Sequence, residues 1–176
     1  MKIEKNWEDY ELIATSNGQK LERWKDIYLL RPDPQVIWNQ GDLLEKYHSI
    51  IHAVYHRSKK GGGSWENLKP VPSSWQINYH NLTFNIKQMG FKHTGLFPEQ
   101  AVNWDYMIEK IKKENRKIKV LNLFAYTGGA TVACLSAGAS VTHVDSSRGM
   151  VDWCKENVKA SGYEKAEVRY LVDDVV

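Results

Sequence analysis

A turn that contains two glycines is the part of this sequence best suited to hold a charged small molecule. Tyr126-Thr127-Gly128-Gly129 stands between an apolar run, residues 119–124, and a helical pattern of small residues. Glycines allow the backbone to approach a ligand closely, because they lack a Cβ and accept positive φ. The first N–H groups of the following helix have no partner within that helix, so they can bind a carboxylate or a phosphate. We therefore expect a ligand at this turn.

Acidic residues follow the next two predicted strands. Asp145 and Ser146 come after the strand at residues 140–144, and Asp173 and Asp174 come after the strand at residues 167–172. A carboxylate at the end of the second strand can accept the two hydrogen bonds that a ribose diol donates. Residues 120–145 thus follow the order strand, glycine turn, helix, strand, acid. This order is typical of a nucleotide-binding βαβ unit.

The spacing of the glycines differs from that of the dinucleotide-binding dehydrogenases. Their fingerprint is G-x-G-x-x-G, whereas residues 127–131 read T-G-G-A-T, with adjacent glycines and no third glycine. Residues 122–129, NLFAYTGG, instead resemble the N-L-F-x-Y-T-G-G motif of class I S-adenosylmethionine-dependent methyltransferases. Within that class they are most similar to the 23S rRNA large-subunit cytosine-C5 methyltransferases. The resemblance covers residues 80–176 well and the first 80 residues less securely.

Three alternatives stay open on the sequence alone. The chain could hold a plain βαβ core that binds no ligand. It could be a nicotinamide-dependent Rossmann oxidoreductase, although the missing third glycine speaks against this class. It could also be a non-catalytic RNA-binding or scaffold protein that has kept a βαβ fold.

The family resemblance implies S-adenosyl-L-methionine as the cofactor and a set of residues that contact it. Residues 94–100, TGLFPEQ, are similar to the family's T-G-x-F-x-x-Q element, which lies against the methionine end of the cofactor. By the same resemblance Asp145 binds the ribose, and an acid after the third strand, preferably Asp174, binds the adenine amino group. The sequence departs from the family at Ala101, where an arginine is more common. The cofactor-binding residues expected from turn and family together are Thr94, Gly95, Phe97, Gln100, Asn122, Phe124, Tyr126, Thr127, Gly128, Gly129, Asp145, Ser146, Asp173 and Asp174.

The order of elements predicts an α/β fold. The resemblance implies a Rossmann-like class I methyltransferase sheet, of which the first three strands are present, preceded by a small β-rich α+β module. The proline-containing stretch at residues 68–74 suggests a division into residues 1–72 and 73–176. An Asn17-Gly18 turn predicts a hairpin in the first part. Alternating polarity predicts a second hairpin at residues 75–86, ahead of a helix at residues 98–113.

A capping-box pattern, Asp42 with Glu45, predicts a helix from Leu43 to about Lys59 that the triple glycine 61–63 ends. His48, His52 and His56 would share one face of this helix. The outer two would lie about 12 Å apart at 1.5 Å per residue, too far to bind one ion together. No nearby acid or cysteine completes a tetrahedral set, so we expect no metal site.

Cations, glycines and an aromatic residue follow one another directly after these histidines. Arg57, Lys59 and Lys60 precede the glycine run, and Trp65 follows it. This composition suits the binding of a phosphate backbone or a single-stranded base, which makes RNA the expected partner. A solvated loop is the alternative. The overall charge of +3 decides nothing, although residues 1–118 carry 18 lysines and arginines against 14 aspartates and glutamates.

The sequence composition also limits the cellular compartments in which the protein is expected. No apolar run approaches the ~20 residues of a membrane span, and the charged amino terminus lacks the apolar region of a signal peptide. The two cysteines, Cys134 and Cys154, both fall in predicted helices, where free thiols usually act as small buried apolar groups. A cytoplasmic protein with no membrane contact is expected.

The resemblance implies that the methyl-transferring half lies elsewhere. A class I sheet has about seven strands, and neither the family's Asp-Pro-Pro loop nor a suitably placed nucleophilic cysteine is present. We expect the catalytic residues beyond Val176 and no methyl transfer by these residues alone. An open parallel edge on the first strand of the unit would favour low stability or homo-oligomers.

Overall fold

The strands in the described part of the chain form one mixed sheet, one parallel sheet and one two-stranded hairpin. A computed structural model describes residues 3–58 and 61–175. The mixed sheet has the order β1-β2-β3-β4-β5 and consists of Tyr10–Ser16, Gln19–Trp24, Ile27–Pro32, Ala53–Arg57 and Gly63–Asn67. The hairpin pairs β6, Trp75–Tyr79, with β7, Leu82–Ile86. The parallel sheet has the order β10-β9-β8 and consists of Val168–Val172, Ser140–Asp145 and Lys119–Asn122.

Local turn chemistry produces the first strands. Asn17 and Gly18 both adopt positive φ, 49° and 70°, and join β1 to β2 as the Asn-Gly signal predicted. Lys25, at φ 61°, begins the next reversal, so that β2 pairs antiparallel with β3. The second predicted hairpin is also confirmed, with the predicted bounds.

The long helix predicted from Leu43 is wrong. Asp42 does cap a helix, since its side chain accepts a hydrogen bond from the Glu45 backbone N–H at 3.1 Å, but α1 covers only Leu43–Tyr47. Residues 53–57 instead form β4, which pairs parallel with β3 and antiparallel with β5. Val54 and Tyr55 are β-branched and aromatic, types that pack well on a pleated sheet.

The three histidines therefore do not share a helix face. His48 ends α1, and His52 accepts a hydrogen bond from the backbone N–H of Tyr28 at 3.1 Å through its Nδ1. His56 lies on β4, with its Nε2 2.6 Å from a carboxylate oxygen of Glu66. The triple glycine follows β4 and leads into β5, rather than ending a helix.

A buried ion pair lies within the mixed sheet. Arg31 Nε and Nη2 donate to the two carboxylate oxygens of Glu22 at 2.5 and 2.9 Å, and Tyr10 donates its hydroxyl to the same carboxylate at 2.7 Å. Burial alone would raise the pKa of Glu22, but the Arg31 guanidinium holds it below its usual value. On the other face of β2 and β3, Leu21 and Leu30 belong to an apolar core that also contains Leu43, Ile51 and Val54.

Helices flank the parallel strands in the predicted order. Pro98–Gln100 forms a single 3-10 turn ahead of α2, Ala101–Lys113. The βαβ unit then follows with α3, Gly129–Ser136, between β8 and β9, and α4, Arg148–Ala160, precedes β10. The predicted buried stripe of α4 is confirmed, because Val151, Trp153, Cys154 and Val158 are all buried.

The chain divides into two compact units. We call Trp7–Ile77 with Ile86–Gly95 the mixed-sheet unit, and Met1–Asn6, Asn78–Asn85 and Leu96–Val176 the parallel-sheet unit. The division into residues 1–72 and 73–176 stays a prediction. In the part of the chain that the structure describes, no helix is long and apolar enough to cross a membrane.

Candidate cofactor site

The turn between β8 and α3 has an unusual backbone. Phe124, Tyr126 and Gly128 adopt positive φ of 51°, 53° and 85° within five residues. A left-handed φ raises the conformational energy of residues that have a Cβ. Such strained residues are frequent in ligand-binding segments, where the surrounding structure imposes the conformation. The glycine pattern predicted a ligand at this turn but did not reveal the left-handed aromatic residues.

Each glycine of the turn makes room for one of the protein's own side chains. A Cβ on Gly128 would collide with Cys154 Sγ of α4, and a Cβ on Gly129 would lie 2.7 Å from the Trp104 ring of α2. The turn is therefore packed closely against both helices. The sequence had suggested that these glycines serve the approach of a ligand, whereas the structure shows that they also serve helix packing.

Asp145 fixes the turn from the end of the neighbouring strand. Its Oδ2 accepts a hydrogen bond from the Tyr126 backbone N–H at 2.8 Å, and its Oδ1 accepts one from the Ser147 backbone N–H at 2.9 Å. Each carboxylate oxygen keeps further acceptor capacity. The carboxylate thus shapes the site while remaining chemically able to receive the hydrogen bonds of a diol.

An open cleft of about 680 Å³, including the solvent at its mouth, lies beside the turn. The Phe97 and Tyr126 rings pack in it with centroids 5.1 Å apart. Seven of the predicted site residues line this cleft: Phe97, Gln100, Asn122, Phe124, Tyr126, Thr127 and Gly129. The structure therefore brings Phe97 and Gln100 of the T-G-x-F-x-x-Q segment together with the glycine turn, although more than 20 residues separate the segment from the turn in sequence.

The remaining predicted residues have other positions. Gly128 lies within the turn, and Ser146 is exposed after β9. Asp173 and Asp174 follow β10, and the Asp173 backbone N–H donates to the Asp145 carbonyl at 3.2 Å, so these acids lie at the same edge of the sheet. Thr94 and Gly95 belong to the mixed-sheet unit, and their contact with a cofactor stays a prediction.

Apolar residues of α2 complete the wall of the cleft. They were not predicted from the sequence. Trp104 and Met107 line it together with Leu96. Trp104 and Met107 are three residues apart, which places them on one face of the helix. That spacing is the signal that could have found them.

Asn157 is a second residue that the sequence analysis missed. It is fully buried on α4 and donates from Nδ2 to the Thr127 carbonyl of the turn at 2.8 Å. Its Oδ1 accepts from the backbone N–H and the side-chain amide of Asn85 at 2.8 and 3.0 Å. An asparagine within an otherwise apolar helix stripe was the available signal, since a buried amide needs partners.

A buried polar chain lies beneath the turn. Asn122 Nδ2 donates to Thr131 Oγ1 at 2.9 Å, and Thr131 Oγ1 lies 2.9 Å from His143 Nδ1. Cys154 Sγ lies 3.3 Å from the same nitrogen. Burial lowers the pKa of His143 to about 4 despite the nearby Asp145 carboxylate, so the imidazole is neutral at neutral pH.

The two thiols are held in their protonated form. Burial raises the pKa of Cys134 to about 11 and that of Cys154 to about 12. A thiol of such high pKa is a poor nucleophile at neutral pH. Across residues 3–58 and 61–175, no group of three His, Cys, Asp or Glu side chains is placed to hold a metal ion.

Comparison with known proteins identifies the family. The profile of the S-adenosylmethionine-dependent methyltransferase family matches residues 47–176. The chain belongs to this family. The matched stretch includes the cleft, the glycine turn and all three parallel strands, so the predicted Rossmann-like class I fold is confirmed.

The methyltransferase relatives are longer than this chain. A SAM-dependent methyltransferase from Agrobacterium tumefaciens superposes with a TM-score of 0.90 at 33% identity, over 97% of this chain and 54% of its own. The ribosomal RNA large subunit methyltransferase K/L of Shewanella frigidimarina is 32% identical over 66% of this chain and 16% of its own length. The protein of that name from Vibrio cholerae is 30% identical over 72% of this chain and 17% of its own length.

The donor set of the cleft fits S-adenosyl-L-methionine, the cofactor of this methyltransferase family. The cleft offers aromatic and aliphatic walls together with the polar side chains of Gln100, Asn122 and Thr127. The Asp145 carboxylate stands at the carboxyl end of β9, where ligands of open α/β sheets bind. The first turn of α3, which includes Ala130, also lines the cleft and can favour an anionic group such as the carboxylate of methionine.

Proposed function

We propose that the protein transfers a methyl group from S-adenosylmethionine to large-subunit ribosomal RNA. The observation that carries the proposal is the cleft at the strained turn, with Asp145 held by two backbone N–H groups beside it. The names of the relatives from Shewanella and Vibrio support RNA as the substrate class. Because this chain aligns with only part of those proteins, the activity of the whole protein belongs to the proposal.

The proposed roles follow the positions of the side chains. Asp145 receives the ribose hydroxyls, and Asp174, at the same sheet edge, receives the adenine amino group. Phe97 and Gln100, which line the cleft beside the turn, contact the methionine part. Thr94 and Gly95 are assigned there by family resemblance alone. The bound cofactor supplies a sulfonium methyl group, and the residues of this chain contribute mainly by fixing its position for in-line attack.

The finer assignment of the acceptor is C5 of a cytosine. Its support is the resemblance of residues 122–129 to the motif of the cytosine-C5 enzymes. Neither cysteine of this chain is suited to attack a cytosine ring, because both are buried and protonated. We therefore place the nucleophile among residues outside this sequence. Nucleoside mass spectrometry of methylated rRNA tests the base, and a methylated purine would contradict the cytosine assignment.

Two partner assignments accompany this proposal. RNA contacts are assigned to Arg57, Lys59, Lys60 and the adjoining glycine-rich loop, of which Lys59 and Lys60 lie outside the described residues. Self-association is assigned to β8, an edge of the described parallel sheet where the Leu121 side chain is 63% exposed. A cytoplasmic location, expected from composition, is proposed with them.

Calorimetric titration of the natural full-length protein tests the cofactor. We expect binding of S-adenosylhomocysteine, no binding of NAD, and loss of the first in Asp145→Ala. The matched control is Asp152→Asn, an exposed carboxylate on α4 that pairs with Lys155 at 2.8 Å. Binding of NAD alone would favour the oxidoreductase alternative. A folded protein that binds neither would leave the RNA-binding scaffold as the better explanation.

A further inference from the structure

A second cleft lies within the mixed-sheet unit and carries positive charge. Its wall includes Arg57 of β4, the glycines that follow it, and Phe91 and Lys92 from the segment after β7. No aspartate or glutamate is among the described residues that line it. The sequence had drawn attention to Arg57 and the glycines, but residues 91–93 join them only through the fold.

Lys92 is surrounded by other cations, of which Arg57 also lines the cleft. Burial and the charges of Arg57, Arg31 and Lys20 lower the pKa of Lys92, while Asp33 acts in the opposite direction. Lys20 and Arg31 have carboxylate partners, Asp33 and Glu22. Among the described residues, neither Arg57 nor Lys92 forms an ion pair within 4.0 Å. Two neighbouring cations that form no such close ion pair favour the binding of an anion.

Hydrogen bonds with the buried Arg31 side chain and with the Pro32 carbonyl hold Lys92 in place. Arg31, fixed by its two hydrogen bonds to Glu22, donates from Nη1 to the Lys92 carbonyl at 3.0 Å. The Lys92 ammonium lies 3.4 Å from the Pro32 carbonyl. Lys92 is therefore positioned by the core before any ligand arrives, which reduces the entropy lost on binding.

An aromatic ring stands next to these charges. Phe91 is 45% exposed although it is a large apolar side chain, and its ring contacts His93 edge-on with centroids 6.2 Å apart. The glycines that line the cleft leave open space, because a Cβ on Gly61 or Gly62 would meet nothing within 4 Å. A ring beside paired cations offers a base a stacking surface and its phosphates a charge partner.

We propose that this cleft binds one nucleotide of single-stranded RNA, with the base stacked on Phe91 and its phosphates held by Arg57 and Lys92. The inference rests on the proposed RNA substrate and adds the site and the mode of recognition. Cations alone would suit any polyanion. The exposed ring beside them favours a nucleic acid over an acidic protein.

The test measures the affinity of the natural full-length protein for a fluorescently labelled single-stranded RNA over a series of salt concentrations. Phe91→Ala should weaken binding between about 5-fold and about 150-fold, the range that corresponds to ~1–3 kcal/mol for one stacked base. Phe91→Tyr, which keeps a ring, should bind almost as the unchanged protein does. The control Trp38→Ala removes a ring of similar exposure, 46%, from the same unit.

The cations are tested through the salt dependence. Arg57→Gln and Lys92→Gln should each lower the slope of log affinity against log salt by about 0.7, the value for one phosphate contact on a single strand. Lys46→Gln, an exposed lysine of α1, is the control and should leave the slope unchanged. All variants should bind S-adenosylhomocysteine with unchanged affinity.

Several results would overturn the inference. Equal RNA affinity of Phe91→Ala and Trp38→Ala would remove the stacking role, and unchanged slopes would remove the phosphate contacts. Competition by polyglutamate as effective as competition by unlabelled RNA would identify a general polyanion site instead. Binding of S-adenosylhomocysteine without any binding of RNA would overturn this inference and leave the cofactor assignment intact, so the two failures are distinguishable.

Discussion

Asp145 Oδ2 accepts a hydrogen bond from the backbone N–H of Tyr126 at 2.8 Å, which ties the end of β9 to the turn that follows β8. Tyr126 is held there in a left-handed conformation, φ 53°. The other carboxylate oxygen accepts from Ser147 at the start of α4. A residue expected to bind a ribose therefore also joins the end of β9, the turn beside the cleft and the start of α4.

We expect Asp145→Asn to weaken S-adenosylhomocysteine binding about 10- to 100-fold. An asparagine offers one acceptor oxygen where two are used, and loss of one charge-assisted hydrogen bond costs about 1.5–3 kcal/mol. Calorimetry measures the affinity, with Asp152→Asn as the control. An Asp145→Asn protein with unchanged affinity would show that the carboxylate matters neither to the turn nor to the ligand.

Asn157 supports the same turn by donating a hydrogen bond to the Thr127 carbonyl. Asn157→Asp keeps an acceptor for Asn85 but turns a carboxylate oxygen towards that carbonyl, whereas Asn157→Ala removes all three hydrogen bonds. We expect each variant to lower the free energy of unfolding by about 2–3 kcal/mol, because a buried polar group then lacks its partner. Urea denaturation measures this. The exposed Asn115→Ala should change stability by less than about 0.5 kcal/mol.

His143 should make stability depend on pH in the acidic range. Its pKa is about 4 in the folded protein and 6.5 as the ordinary value, so the unfolded chain binds more protons between these pH values. The contribution of the neutral imidazole is full above pH 6.5 and is lost as the pH falls towards 4, by up to about 3 kcal/mol. In urea denaturation over this range, His143→Gln should lack that decrease. The exposed His48→Gln should keep it, and a decrease of equal size in both variants would contradict the assignment.

The Glu22–Arg31 pair should be costly to break from one side. Arg31→Met leaves the buried carboxylate with only the Lys20 ammonium, 3.7 Å away, as a counter-ion, and we expect a loss of about 3–5 kcal/mol in the free energy of unfolding. Glu22→Gln combined with Arg31→Met should recover part of this loss. Lys117→Met, which removes an ion pair with the 66% exposed Glu167 side chain, should cost less than about 1 kcal/mol.

The Glu22–Arg31 pair should also make stability depend on pH in acid. Here the stabilising form is an ionised carboxylate, whereas for His143 it is a neutral imidazole. Because the pKa of Glu22 lies below its ordinary value of 4.5 in the folded protein, its stabilisation is full above pH 4.5. It is lost as the pH falls through the lowered value. Measuring the unfolding free energy below pH 4.5 in the His143→Gln background separates this effect from that of His143. A Glu22→Gln protein with the same decrease below pH 4.5 would contradict it.

Local chemistry along the sequence determined much of this protein. Four features could be predicted because each depends on neighbouring residues. They are the Asn17-Gly18 turn, the Asp42 cap, the alternating strands of the β6–β7 hairpin and the order of the βαβ unit. The motif at residues 122–129 also indicated the family. Backbone conformation and side-chain periodicity carry such information over short distances.

Tertiary structure decided what depends on partners far along the chain. Residues 53–57 form a strand because β3 and β5 supply hydrogen bonds on both sides, although the cap at Asp42 predicted a continuing helix. The positions of Asn157 and His143 under the turn, and of Phe91 and Lys92 beside Arg57, likewise follow from folding. A buried polar or charged group gains its partners only when distant segments pack together, and no periodicity in the sequence records that pairing.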